Sequence, residues 1–197
     1  MNYLAHLYLS ADEGPIRLGN FMADSIRGKQ YKTYPIAIQL GILLHRHIDS
    51  FTDQHPIYRQ SKHRLHERYG HYSGVIMDIF YDHFLASRWH EYHAQPLADY
   101  AASFYEYLRT HTAWLPEKIV QMLPFMIGRN WLLMYATVEG IDQIMLQMNH
   151  RTQRRVPMHE AGIELRQYYT EFNEEFGRFF EELRHSCSQF IDQHQIE

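Results

Sequence analysis

Apolar residues recur along this chain at steps of three and four, and polar residues fill most positions between them. This spacing places the apolar side chains on one face of an α-helix. No convincing stretch of alternating apolar and polar residues, bounded by hairpin turns, interrupts the pattern. The sequence therefore predicts an all-α fold.

Proline and glycine residues mark where the predicted helices begin and end. Pro56 and Pro116 lie near predicted starts, where the missing N–H costs no hydrogen bond, and Gly70 lies near a predicted end. The predicted helices cover residues 2–10, 15–27, 35–53, 56–69, 73–93, 96–112, 116–129, 139–152 and 158–192. Because 197 residues suffice for one buried core and no repeat or linker is visible, we expect one domain over residues 1–197. That domain is a multi-helix bundle with a long C-terminal helix.

Composition narrows the class of protein. A hydrophobic fraction of 45% and a charged fraction of 21% are typical of a globular chain. The single cysteine, Cys187, excludes an internal disulfide and any cysteine-based zinc site. The first residues lack the basic segment of a signal peptide, and no apolar run reaches the roughly 18 residues of a membrane span. We therefore expect a soluble, cytoplasmic protein.

The distribution of charge argues against nucleic acid as a partner. The formal net charge is −4, and the basic residues are scattered rather than clustered on one face. One early segment is locally basic and contains Arg17, Arg27, Lys29 and Lys32. This segment fits an acidic partner or, alternatively, ordinary solvated helix ends.

Three pairs of polar residues stand four positions apart within apolar helical stretches: Asn20 with Asp24, His45 with Asp49, and Asp78 with Asp82, which His83 follows. Residues i and i+4 share one face of a helix, so three facing helices could bring these groups together. Buried carboxylates require a cation or an arginine beside them. We therefore predict a divalent metal site, with a salt-bridge network around Arg46 as the alternative. A lone histidine such as His6 is expected to be a hydrogen-bonded core residue.

Several blocks of this sequence resemble the acyl carrier protein phosphodiesterase family. They are NYLAHL at residues 2–7, LGNFMAD at 18–24 with RG at 27–28, the pairs GI, HR, ID and TD within 41–53, and DHFL at 82–85. Their order and spacing match over the first half of the chain. The resemblance implies hydrolysis of the phosphodiester that joins 4′-phosphopantetheine to a serine of holo-acyl carrier protein. It also implies a divalent cation, Mn²⁺ or else Mg²⁺.

The resemblance further implies a fold similar to helical metal-dependent phosphohydrolases, whose ligands include an adjacent His-Asp dyad. The dyad of this chain is reversed, as Asp82-His83, so we assign roles from the chemistry. The predicted metal ligands are Asp24, His45, Asp49 and Asp82. This mixed nitrogen and oxygen set suits Mn²⁺ better than a thiol-binding ion.

Diester hydrolysis also requires a proton for the departing serine oxygen and a group that holds the phosphate. We predict His83 as the general acid. Arg46 or Arg27 is predicted to hold the phosphate through a two-pronged contact that lysine cannot copy.

Acyl carrier proteins are small, acidic and helical, which gives the early basic segment a role under this resemblance. Arg17, Lys29 and Lys32 are predicted to bind the carrier, and added salt should weaken that binding.

Two other functions remain open from the sequence. One is a metal-dependent phosphohydrolase that acts on a nucleotide or another small phosphorylated substrate. The other is a noncatalytic helical binding protein in which Asp24, Arg46, Asp49 and Asp82 form a buried salt-bridge network. The apolar stripe of the last predicted helix fits either the core or a dimer interface.

Overall fold

The computed structural model describes residues 1–152 and 155–195, and within them the regular structure is entirely helical. The predicted all-α fold is confirmed. The α-helices are α1 (Tyr3–Tyr8), α2 (Gly14–Met22), α3 (Ile36–Gln54), α4 (Pro56–Tyr69), α5 (Ser73–Ser87), α6 (Trp89–Tyr92), α7 (Leu97–Thr110), α8 (Glu117–Gly128), α9 (Trp131–Met134), α10 (Val138–Arg151), α11 (Gly162–Gln167) and α12 (Tyr169–Gln195). Short 3-10 turns cover Ala23–Ser25, Gln30–Thr33, Gly70–Tyr72, Thr112–Trp114 and Met158–Glu160. No helix in these ranges is long and apolar enough to cross a membrane.

Two predicted helices are broken in the structure. The predicted helix 73–93 divides at Arg88, whose φ of −109° and ψ of 22° leave the helical range, so α5 and α6 are separate. The predicted helix 158–192 divides at Tyr168, which has similar angles, and α12 begins one residue later. Apolar spacing continues across both breaks, so the hydrophobic pattern cannot reveal them.

The core forms around α5 and the long C-terminal helix. Most of α5 is buried, and Phe80, Tyr81 and Phe84 are fully enclosed, although Val75 near its start is 37% exposed. On α12, Phe172 and Phe176 belong to the same core. The apolar stripe of the last helix therefore packs inside this chain.

Helices α2 and α3 touch backbone to backbone. A Cβ atom on Gly19 would lie 2.2 Å from the carbonyl oxygen of Ile38, and a Cβ on Gly41 would lie 2.1 Å from that of Ile16. Both distances are far below van der Waals contact, so only glycine fits at either position. This close approach places Asn20 of α2 directly against His45 of α3.

Asp82 of α5 binds the start of α1. Its carboxylate accepts hydrogen bonds from the backbone N–H groups of Asn2, Leu4 and Ala5, at 3.1, 2.7 and 3.4 Å. Burial raises the pKa of Asp82 to about 7, although the Met1 ammonium and the three N–H groups act in the opposite direction. Asp82 therefore holds α1 in place over the core.

Candidate active site

A cavity of about 240 Å³ opens where α1, α3 and the turn Ala23–Ser25 meet. Its wall includes His6 from α1, Asp24 from the turn, and both His45 and Asp49 from α3. The first of these comes from an apolar block near the start of the chain, while the other three were predicted as ligands. Helix geometry places His45 and Asp49 on the same face of α3, and packing of the other elements adds His6 and Asp24 to the cavity.

Two histidines and one carboxylate converge inside this cavity. The rings of His6 and His45 are stacked, with centroids 4.1 Å apart and planes inclined by 21°. The Nε2 atoms lie 3.4 and 3.1 Å from the two carboxylate oxygens of Asp49. One ligand-capable atom from each residue lies within 4.8 Å of the others, a spacing that fits a single metal ion. Asp24 Oδ1 lies 3.2 Å from His45 Nε2 and is therefore next to this group of ligand atoms.

Asn20 orients both imidazoles. Nδ1–H of His45 donates to the Asn20 backbone oxygen at 2.9 Å, and Nδ1–H of His6 donates to Asn20 Oδ1 at 2.8 Å. The amide nitrogen of Asn20 donates in turn to the His6 carbonyl and to Ser10 Oγ, which fixes the amide orientation. Because each Nδ1 carries the proton in the neutral ring, each Nε2 presents a lone pair to the cavity.

The electrostatics of this cluster favour one added positive charge. Burial acts to lower the pKa of His45, but Asp24 and Asp49 outweigh it and raise that pKa to about 9. Burial and the neighbouring His45 lower the pKa of His6. Burial would raise the pKa of Asp49, yet its bonds to the two histidines hold it well below its usual range. A metal ion can replace the proton at this position.

The rest of the wall mixes polar, aromatic and acidic residues. Thr52, one turn beyond Asp49 on α3, is buried and lines the cavity, and its hydroxyl has no hydrogen-bond partner within the described residues. Asp53 and Asp78 also line the cavity, and Tyr58 donates to Asp78 at 2.7 Å. A buried hydroxyl without a partner costs free energy, so Thr52 is suited to donate to a bound ligand.

The structure does not bring Asp82 and His83 into this cavity. The carboxylate of Asp82 faces the start of α1, as described above, and is therefore already used. His83 donates from Nδ1–H to the Tyr135 carbonyl at 2.8 Å, and its Nε2 lies 3.1 Å from the Tyr169 hydroxyl. Both ring nitrogens of His83 thus have partners away from the cluster. The geometry departs here from the predicted ligand and general acid, because most of α5 is buried and its sequence does not show which face meets the cavity.

The predicted phosphate-binding arginines also lie outside the cavity wall. Arg46 donates to the carbonyls of Ile26 and Gly28 at 3.3 and 2.8 Å, and its guanidinium stacks over the Tyr31 ring at 5.1 Å. It therefore supports the loop after the turn Ala23–Ser25 and forms no salt bridge with a carboxylate among the described residues. Arg27 is exposed on that loop.

The three basic residues predicted to bind a partner differ in their surroundings. The guanidinium of Arg17 bonds to Asp12 and to the Ala11 carbonyl, and it stacks over a tyrosine ring. Lys29 and Lys32 are exposed, and their ammonium groups pair with no carboxylate in the part of the chain that the structure describes. Only the two lysines are therefore available to an acidic partner.

Sequence reasoning missed three residues of this cavity. The sequence pattern predicts His6 only as a core histidine and Asn20 only as half of a polar pair, and it assigns no role to Thr52. The available signal was their position inside the family-like blocks at residues 2–7, 18–24 and 41–53.

Fold and site together define a helical protein with a histidine–carboxylate centre, and comparison with known proteins specifies hydrolysis as its chemistry. The chain matches the family described as "Acyl carrier protein phosphodiesterase" over residues 1–183, and it belongs to that family. The resemblance found in the sequence is confirmed.

Similar proteins with this same name cover nearly the whole chain. The protein from Photorhabdus laumondii subsp. laumondii is 32% identical over 184 residues, which are 91% of each chain. That from Pectobacterium atrosepticum is 28% identical over 91% of this chain and 94% of its own. The protein from Escherichia coli O6:H1 is 25% identical over 95% and 98%. No solved structure matches the chain.

Proposed function

We propose that this protein hydrolyses the phosphodiester between 4′-phosphopantetheine and a serine of holo-acyl carrier protein, with a divalent cation held by His6, His45 and Asp49. The observation that carries this proposal is the convergence of their ligand atoms within 4.8 Å in a cavity. Membership of the family supports an acyl carrier protein as the substrate and phosphodiester hydrolysis as the reaction.

The donor set fits the proposed cation. Two imidazole nitrogens with carboxylate oxygens suit Mn²⁺, and the set contains no thiolate that would favour a softer metal. Asp24 is an exposed carboxylate beside His45 and would complete the ligands. When bound, the cation would polarise the phosphoryl oxygens and lower the pKa of a water molecule.

The side chains of the cavity have separate tasks in this reaction. Asn20 keeps both Nε2 lone pairs aimed inward, and the Thr52 hydroxyl donates to a nonbridging phosphoryl oxygen. The oxygen of a water molecule attacks phosphorus, and the bond from phosphorus to the serine oxygen breaks. Because His83 lies elsewhere, the proton that the attacking water loses reaches the departing serine oxygen through solvent water.

The proposed docking face for the carrier lies next to the cavity. Lys29 and Lys32 project from the loop between α2 and α3, and Ile36 at the start of α3 is 83% exposed. An exposed apolar side chain with unpaired cations nearby suits an acidic helical protein. The turn that carries Asp24 immediately precedes this loop, so a docked carrier would present its modified serine close to the metal ligands.

Mass spectrometry of holo-acyl carrier protein tests the proposal. After incubation with the protein and Mn²⁺, the carrier should lose the phosphopantetheine mass, whereas chelator should prevent the loss. The Asp49→Asn variant should leave the carrier intact. An unmodified carrier after incubation with Mn²⁺-loaded protein would contradict the proposal. Hydrolysis of small diesters alone would favour the small-substrate phosphohydrolase instead.

A further inference from the structure

A second, larger groove lies beside the cavity. Its volume is about 510 Å³, and it runs between the end of α2 and the helices α8 and α9. Tyr3, Phe21 and Asp24 line both the groove and the cavity, so the two spaces adjoin at these three residues. A molecule with its reacting group in the cavity can therefore extend into the groove.

The volumes of the cavity and of the groove suit different parts of the substrate. Sites for small organic ligands usually measure about 300–1,000 Å³. The cavity, at about 240 Å³, is below that range and suits a phosphoryl group beside a metal ion. The groove is within the range, so it has room for an organic chain attached to the phosphate.

The groove has a mixed lining. Met122, Phe125 and Trp131 form apolar surface, and Phe125 is 63% exposed although it is a large aromatic residue. Lys118 and Arg129 stand at the rim, exposed, and no carboxylate of the described residues pairs with either. An exposed aromatic side chain with nearby polar and cationic groups marks a surface suited to an amphipathic anionic ligand.

We infer that this groove binds the pantetheine arm of the substrate and so selects diesters that carry this arm. The inference rests on the proposed function, since the arm is what the phosphodiester joins to the carrier. The arm contains apolar segments, including a dimethyl carbon, and two amides, which suits a lining with both apolar side chains, Phe125 and Met122, and polar ones, Gln121 and Ser25. Lys118 and Arg129 would attract the negative charge of the phosphorylated arm.

A matched pair of variants on α8 tests the groove. Phe125→Glu places a charge in the groove, while Val120→Glu makes the same change at a position 37% exposed outside its lining. We expect Phe125→Glu to lower kcat/KM for holo-acyl carrier protein by about tenfold or more, and Val120→Glu to change it by less than about twofold. Lys118→Glu is a second groove variant and should act in the same direction. Equal activity of Phe125→Glu and Val120→Glu would overturn the inference.

Binding of pantetheine alone, followed by ligand-observed NMR, provides a readout that needs no catalysis. The wild type and Val120→Glu should bind pantetheine, and Phe125→Glu should lose most of that binding. Absence of binding to the wild type would overturn the groove assignment even if the carrier is hydrolysed. Binding without any hydrolysis of the carrier would instead refute the proposed function and leave the groove as a pantetheine site.

Discussion

The imidazole rings of His6 and His45 stack 4.1 Å apart, and each ring directs Nε2 toward a different oxygen of Asp49. Two imidazolium ions at this distance would repel each other, so the stack is stable when the pair carries one positive charge at most. The proton on His45 and a bound cation are therefore alternatives. This relationship leads directly to the first prediction.

Mn²⁺ should raise the melting temperature of the wild-type protein. A cation bound only by the folded state stabilises it by about 2.7 kcal/mol at a concentration 100 times Kd, which corresponds to a shift of several degrees. The His6→Ala variant should lose most of this shift, while Asp99→Asn on the exposed face of α7 should keep it. Thermal unfolding with Mn²⁺ and with chelator measures the difference. An equal shift in His6→Ala would remove His6 from the ligand set.

Replacing Asn20 by alanine should weaken metal binding although Asn20 is not a ligand itself. Both imidazoles would lose the acceptor that fixes Nδ1–H, and loss of such outer partners typically costs about 10–100-fold in metal affinity. Ser10→Ala is the matched control, because it removes another partner of the Asn20 amide without touching either ring. Titration with Mn²⁺ should separate the variants. Similar Mn²⁺ affinities for the two variants would show that Asn20 only stabilises the fold.

Thr52→Val should lower kcat for the carrier by about tenfold, since valine preserves the shape of threonine and removes only the hydroxyl. Thr52→Ser, which keeps the hydroxyl, should retain most of the activity. Because Thr52 Oγ1 has no hydrogen-bond partner within the described residues, Thr52→Val should leave the unfolding midpoint close to that of the wild type. Steady-state kinetics of the wild type, Thr52→Val and Thr52→Ser measure the difference in kcat. Normal turnover by Thr52→Val would exclude the proposed hydrogen bond from Thr52 to the phosphate.

Asp82 should make the protein less stable as the pH rises. Its pKa is about 7 in the folded state and about 4 in an unfolded chain, so the folded state binds more protons between these values. The stabilisation is complete below about pH 4 and is lost as the pH rises through 7, which amounts to a few kcal/mol. Asp82→Asn should remove this part of the pH dependence. Urea unfolding of both proteins in chelator from pH 5 to about pH 8 measures it, and parallel curves would contradict the assignment.

Reversing the charge of both Lys29 and Lys32 to glutamate should raise KM for the carrier and reduce its dependence on salt. Their charges are unpaired, so they attract an acidic partner at long range. Arg17→Glu should have a much smaller effect on KM, because Asp12 already neutralises Arg17. KM for the carrier, measured at two ionic strengths for the double lysine variant and for Arg17→Glu, tests both expectations. A larger rise in KM for Arg17→Glu would move the docking face to the other end of α2.

The sequence predicts the parts of the site that depend on local geometry. His45 and Asp49 share a face of one helix, and Asp24 follows the helix that packs against it, so these three follow from spacing and apolar surroundings. The orientation of Asp82 and His83 could not be predicted, because apolar residues flank both of them along α5 and only tertiary packing decides which side meets α1. His6 belongs to a helix of six residues, too short for any periodic face to be visible.

The glycine contact between α2 and α3 also determines what kind of change can disturb the metal ligands. Side chains between helices can adopt new rotamers, but Gly41 meets the backbone of Ile16 directly, and a backbone has no alternative rotamer. The distance between the Asn20 carbonyl and the His45 ring is therefore fixed by contact between two backbones. Changes in side-chain packing elsewhere in the core should leave this distance unchanged. A single methyl group added at Gly41 would push α2 and α3 apart. It would thereby separate the His45 imidazole from the Asn20 carbonyl that orients it.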